Sequence, residues 1–158
     1  MLTLPPGPAW LFPRLFPHPR HCGISGPRVT LLVAAGGAAG AAARAGAELM
    51  GPASGGGFPW TTWTINLAGS AAMGLLMVLL SRHPKSPMWA GPVLGSGFLG
   101  GFTTFSAFAT DVQELLATGR VLIALAYAFA TVVGALAAAA GGAAAASRLP
   151  RGGTGGRG

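Results

Sequence analysis

The chain has 158 residues, 51% of them hydrophobic and only 8% charged, with ten basic residues against three acidic ones and a formal net charge of +7. A small soluble domain needs a charged surface that this composition cannot supply, so a one-domain membrane protein is the first reading. Apart from Arg44 the basic side chains lie in flanks and connections rather than in a patch, which argues against nucleic acid as a partner, and the single Cys22 excludes an internal disulfide.

Residues 1–27 carry Pro5, Pro6, Pro8, Pro13, Pro17, Pro19 and Pro27, which forbid a helix, and they lack the uninterrupted apolar core of a signal peptide. They read as a disordered tail, or as sequence ahead of a true start near Val29. Residues 28–148 hold four apolar stretches, roughly Val29–Met50, Trp60–Ser81, Met88–Leu116 and Val121–Ala146, each reaching the ~20 residues an α-helix needs to cross hydrocarbon. Residues 149–158, ending RGGTGGRG, form a flexible basic tail. The expected fold is therefore an all-α integral membrane protein with four transmembrane helices.

Short connections at residues 51–59, 82–87 and 117–120 put both termini on one side of the membrane. On that side lie Arg14, Arg20, Arg28, Arg82, Lys85, Arg148, Arg151 and Arg157, against Arg120 alone on the other. The positive-inside rule then places the termini in the cytoplasm. Small residues recur at i, i+4 in Gly36 and Gly40, Ser70 and Gly74, and Gly97 and Gly101, a spacing that lets helix backbones approach closely in lipid.

The third stretch is longer than one crossing requires, and its middle, Gly95 to Ser106, is dense in Gly and Thr. Each Gly costs a helix roughly 1 kcal/mol, so a membrane helix breaks most easily here. A break exposes backbone that must be satisfied inside a cavity or buried site. The alternative is a continuous helix whose glycines permit tight packing and whose hydroxyls bond back to the preceding turn. Asn66, seven residues into the second stretch, needs partners at that depth, either a neighbouring helix or a ligand. Arg44, inside the first stretch with Glu48 one turn on, reads as an interfacial anchor, an ion pair or a functional cation.

Three motifs in order, Gly36-Gly37-x-x-Gly40-Ala41-x-x-Arg44, Thr62-x-x-x-Asn66-x-x-Gly69-Ser70 and Gly97-x-x-Gly100-Gly101-Phe102-Thr103-Thr104-Phe105-Ser106-x-Phe108, resemble the CrcB/Fluc family of small fluoride channels. The resemblance covers about Ala34 to Thr131. It implies a third helix broken near its middle, and an antiparallel dimer of dual-topology type with two pores along the interface and a central sodium ion. Phe105 and Phe108 would then face the pore, where the positive edges of their rings can meet a dehydrated anion. Asn66 and Ser106 would donate hydrogen bonds, Tyr127 and Thr131 would continue the polar track, and Arg44 would stand at the vestibule. Gly100 and Thr103 would offer carbonyls to Na+. Asp111 stands where the family usually has Glu, and Ala135 lacks the hydroxyl expected further along the track.

The function so implied is passive, fluoride-selective export across the cell inner (plasma) membrane, lowering cytoplasmic fluoride. No nucleophile–base pair or metal-ligating His/Cys/Asp cluster is visible, and His18, His21 and His83 lie outside the apolar stretches, so an enzyme is not expected. The uneven basic charge favours one fixed orientation, and hence a heterodimer with a related subunit of opposite bias, while a homodimer stays open. A four-span proton-coupled multidrug transporter and a non-transporting membrane assembly protein are the alternatives; the first wants a carboxylate in the middle of the first span, and Glu48 is at its end.

Overall fold

A computed structural model describes residues 26–51, 57–83 and 86–149. The tails expected at either end lie, but for residues 26, 27 and 149, outside the described residues. Helix α1, Pro27–Met50, starts behind an extended Gly26 with Pro27 in its first turn, where the missing N–H costs nothing, and ends as Gly51 donates to the Ala47 carbonyl. Helix α2 covers Trp60–Arg82 and α5 covers Val121–Arg148. These three are long and apolar enough to cross a membrane. Their outward faces are correspondingly greasy: Leu31, Leu122, Phe129 and Leu136 are all well exposed on the single chain.

The stretch expected as a third crossing broken near its middle is two half-helices. Gly91–Leu99 is π-helical, with Gly91, Pro92, Gly95 and Gly97 weakening the ordinary α ladder, and it runs into a short α3, Gly100–Phe102. Thr103 (φ −76°, ψ 156°) and Thr104 (φ −144°, ψ 122°) are extended, and α4, Phe105–Ala117, starts immediately after them. Each end of the gap carries capping hydrogen bonds. The Thr103 N–H and hydroxyl donate to the Leu99 carbonyl at 2.9 and 3.0 Å. The Thr104 hydroxyl oxygen accepts from the Ala107 N–H at 3.1 Å, an N-cap for α4. At its far end α4 stops where Gly119 takes φ 75°, and the Gly119 and Arg120 N–H groups return to the Leu116 and Leu115 carbonyls, so the chain reverses into α5.

Packing joins these helices in two layers: α1 lies on the π-helical segment and α3, and α2 lies along α5. Small residues make both contacts possible. A Cβ on Gly40 would collide with the Phe98 carbonyl oxygen, and one on Gly74 would collide with that of Ala139. Where α2 ends, the Arg82 guanidinium donates to the Ala146 carbonyl at 2.7 Å, Ser147 at 2.8 Å and Leu149 at 3.3 Å, satisfying orphan carbonyls at the end of α5. A small core under the α4–α5 turn is formed by Leu115, Ala124 and Tyr127, with Phe58, Trp63 and Phe108 packed against it.

Candidate functional site

The gap between α3 and α4 opens on a cleft of about 300 Å³ shared by α2, α4 and α5. Thr103 can enter this region because α2 carries Gly69 opposite it, where a Cβ would overlap the Thr103 methyl. From the same face of α2, Asn66 reaches Thr104: its Nδ2 donates to the Thr104 carbonyl at 3.0 Å, and its Oδ1 accepts from the Thr104 N–H at 2.9 Å. Both residues are buried, each 8% exposed, so the amide meets its solvation needs on a backbone that has no helical partner for its N–H.

Of the residues singled out in the sequence, Asn66, Thr103, Phe105, Phe108 and Thr131 come together on the cleft wall. The Phe105 and Phe108 ring centroids are 5.7 Å apart at 44°. Phe105 is 80% exposed on the single chain, whereas Phe108 leans on Tyr127 with centroids 5.3 Å apart. The Thr131 hydroxyl donates to the Tyr127 carbonyl at 2.7 Å, which leaves its oxygen as the group available to the cleft.

The remaining expected residues stand elsewhere. Tyr127 is fully buried, its ring edge-on to Phe58 and its hydroxyl donating to Asp111 at 3.0 Å. Ser106 is exposed, with its oxygen 3.1 Å from that of Thr104. Gly100 is exposed one turn before the interruption. Arg44 forms a 2.8 Å ion pair with Glu48 on α1, away from the cleft. Ser70 and Ala135 line the cleft although neither was singled out as a site residue; the signal for Ser70 was its position one turn beyond Asn66 on the same helix face.

No lining side chain of the cleft carries a formal charge. Ring edges, hydroxyls and an amide can replace water around a small ion without trapping it by net charge. The exposed irregular backbone imposes a further condition, because main chain of this kind is not tolerated against lipid and needs protein or a water-filled cavity beside it.

Three helices long and apolar enough to cross a membrane, together with a capped pair of half-helices beside an uncharged cleft, define an all-helical multi-pass membrane protein. The family model described as CrcB-like protein, Camphor Resistance (CrcB), matches residues 31–143. The chain is 46% identical over 121 residues to the fluoride-specific ion channel FluC 1 of Streptomyces coelicolor, covering 77% of this chain and 79% of that one. It is likewise 46% identical over 108 residues to the fluoride-specific ion channel FluC of Paracoccus denitrificans, covering 68% of this chain and 86% of the relative. The chain belongs to the CrcB family.

Proposed function

We propose that this protein is a fluoride-selective channel that lets the anion leave the cytoplasm passively. The observation that carries the reading is the interruption at Thr103–Thr104 beside an uncharged cleft edged by Phe105 and Phe108, in a chain close to half identical to fluoride-specific channels. Fluoride enters cells as its neutral acid and ionises in the more alkaline interior. An inside-negative potential then favours exit of the anion by about 2.3 kcal/mol per charge per 100 mV. Selectivity follows from size: a small, strongly hydrated ion gives up its water only to rigid, closely placed partners, and ring edges held by packing are such partners. Nothing in this mechanism makes or breaks a covalent bond, and we read the chain as a channel rather than an enzyme.

The half-helices together form the fourth crossing, and two subunits meet antiparallel in the inner membrane with their interruptions facing each other. What supports this is the irregular backbone between the exposed Gly100 and Ser106 on the single chain, which needs protein or a water-filled cavity beside it rather than lipid. A sodium ion fits the donor set between such subunits. Among the described residues no three His, Cys, Asp or Glu side chains gather, so a metal here would rely on neutral oxygens. A helix ending at Phe102 leaves last-turn carbonyls without helical partners, and those of Gly100 and Thr103 would hold the ion. Its contribution when bound is positive charge that fixes the facing carbonyls.

A proton-coupled transporter is the weaker reading, since the Glu48 carboxylate is engaged by Arg44 at 2.8 Å. Fluoride efflux from reconstituted liposomes tests the proposal; a chain that moves protons or organic cations but no fluoride removes it.

A further inference from the structure

Thr104 is the extended residue immediately before α4, and it lines the cleft beside Phe105. Its carbonyl faces α4, where a capping residue accepts the first helical bond, and its N–H lies outside the helix. Asn66 bonds both groups at once, across 38 residues of sequence, at 3.0 and 2.9 Å. A primary amide presents one acceptor and one donor side by side, the pair a neighbouring strand would offer to an extended residue. The polarity of Thr104 fixes which way round the amide sits: Oδ1 must face the N–H and Nδ2 the carbonyl.

We propose that Asn66 is a positioning residue, its amide acting as a one-residue partner strand that sets the shape of the interruption and leaves only one N–H for an ion in the cleft. The geometric part stands on the two bonds; what the positioned groups serve rests on the channel reading above. The reach of the clamp is short and direct. The Thr103 carbonyl precedes the clamped N–H in the same peptide plane, so holding that plane also sets the direction of the carbonyl. Phe105 follows the clamped carbonyl, and the Thr104 hydroxyl caps Ala107 and meets the Ser106 hydroxyl. One side chain on α2 therefore orients a main-chain oxygen on one side of the gap and a ring on the other. Asparagine suits the task where other residues do not: alanine removes both bonds, leucine keeps the volume without them, and a carboxylate sets a charged oxygen against the Thr104 carbonyl.

Amide hydrogen exchange on the full chain, read by mass spectrometry on peptides covering residues 100–108, tests the clamp without any fluoride measurement. Asn66→Leu and Asn66→Ala are expected to speed exchange at the Thr104 amide at least tenfold, while Phe108→Ile, a variant of the cleft wall outside the clamp, leaves it at the wild-type rate. Wild-type exchange at Thr104 in folded Asn66→Leu overturns the proposal. Should both Asn66 variants fail to fold, replacing Thr104 by its α-hydroxy acid, which deletes the clamped N–H and keeps every side chain, decides the matter by fluoride flux: a fall of at least tenfold is expected, and flux equal to wild type overturns the clamp. A wild-type protein with no flux even when a related partner subunit is supplied contradicts the channel reading alone and leaves the exchange result to judge Asn66.

Discussion

The hydroxyl of Tyr127 donates to the Asp111 carboxylate at 3.0 Å, tying α5 to α4 one turn beyond Phe108, the ring that Tyr127 also packs against. Removing only the oxygen leaves a partly buried carboxylate short of a donor, so Tyr127→Phe is expected to lose about 1–3 kcal/mol of stability with the aromatic packing kept. Tyr127→Ala removes a fully buried ring as well and is expected to cost about 3–5 kcal/mol, with a larger loss of flux as Phe108 loses its support. Denaturant unfolding in detergent, run beside liposome flux, separates the two effects.

Close backbone approach predicts which glycines tolerate a methyl group. A Cβ on Gly40 runs into the Phe98 carbonyl and one on Gly74 into that of Ala139, so Gly40→Ala and Gly74→Ala are expected to force the helices apart at about 1–3 kcal/mol each. Gly46 sits on the same helix as Gly40 with nothing within 4 Å, and Gly46→Ala is expected to be neutral or to stabilise by up to about 1 kcal/mol. Thermal unfolding midpoints of the three purified variants check the contrast.

Arg82 separates capping from charge. Its guanidinium holds carbonyls of Ala146, Ser147 and Leu149, a fork that a lysine ammonium cannot reproduce. Arg82→Gln is expected to destabilise by about 2 kcal/mol, on the scale of charge-assisted hydrogen bonds, and Arg82→Lys to recover only part of it. Full recovery by lysine, measured as the unfolding midpoint, would mean that positive charge alone matters there.

Much of this was legible in the sequence, for identifiable reasons. Long apolar runs marked α1, α2 and α5, a local signal, while the cluster of glycine and threonine marked where the remaining stretch could give way and left a continuous helix open until the family resemblance favoured a break. The Gly36, Gly40, Gly97 and Gly101 pattern marked the α1 contact, again by a local signal. Long-range partners were not legible. Nothing near Asn66 announces Thr104, and nothing near Arg82 announces the end of α5. The resemblance put Tyr127 and Thr131 together on a polar track, yet the pair is divided: Tyr127 packs in the aromatic core with Phe108 of α4, and Thr131 reaches the cleft. The π-helical turns of Gly91–Leu99 also left no trace, since Gly and Pro obscure any period.

The proposed subunit arrangement is testable through charge placement. Arg28, Arg82 and Arg148 lie toward one end of the helices and Arg120 toward the other, which favours a single orientation in the membrane. Expression of this chain alone is expected to give little flux, restored by a related subunit of opposite charge bias. Full flux from the purified single chain would instead establish a homodimer.

Fluoride efflux from liposomes, followed with a fluoride-selective electrode under an imposed potential, is the most direct test of a pore at the Thr103–Thr104 interruption. With its partner subunit supplied where one is needed, the wild-type protein is expected to empty fluoride-loaded vesicles while retaining chloride, and Phe108→Ile to slow release at least tenfold. Release of both halides alike, or fluoride release unchanged by Phe108→Ile, would contradict a selective pathway along these rings.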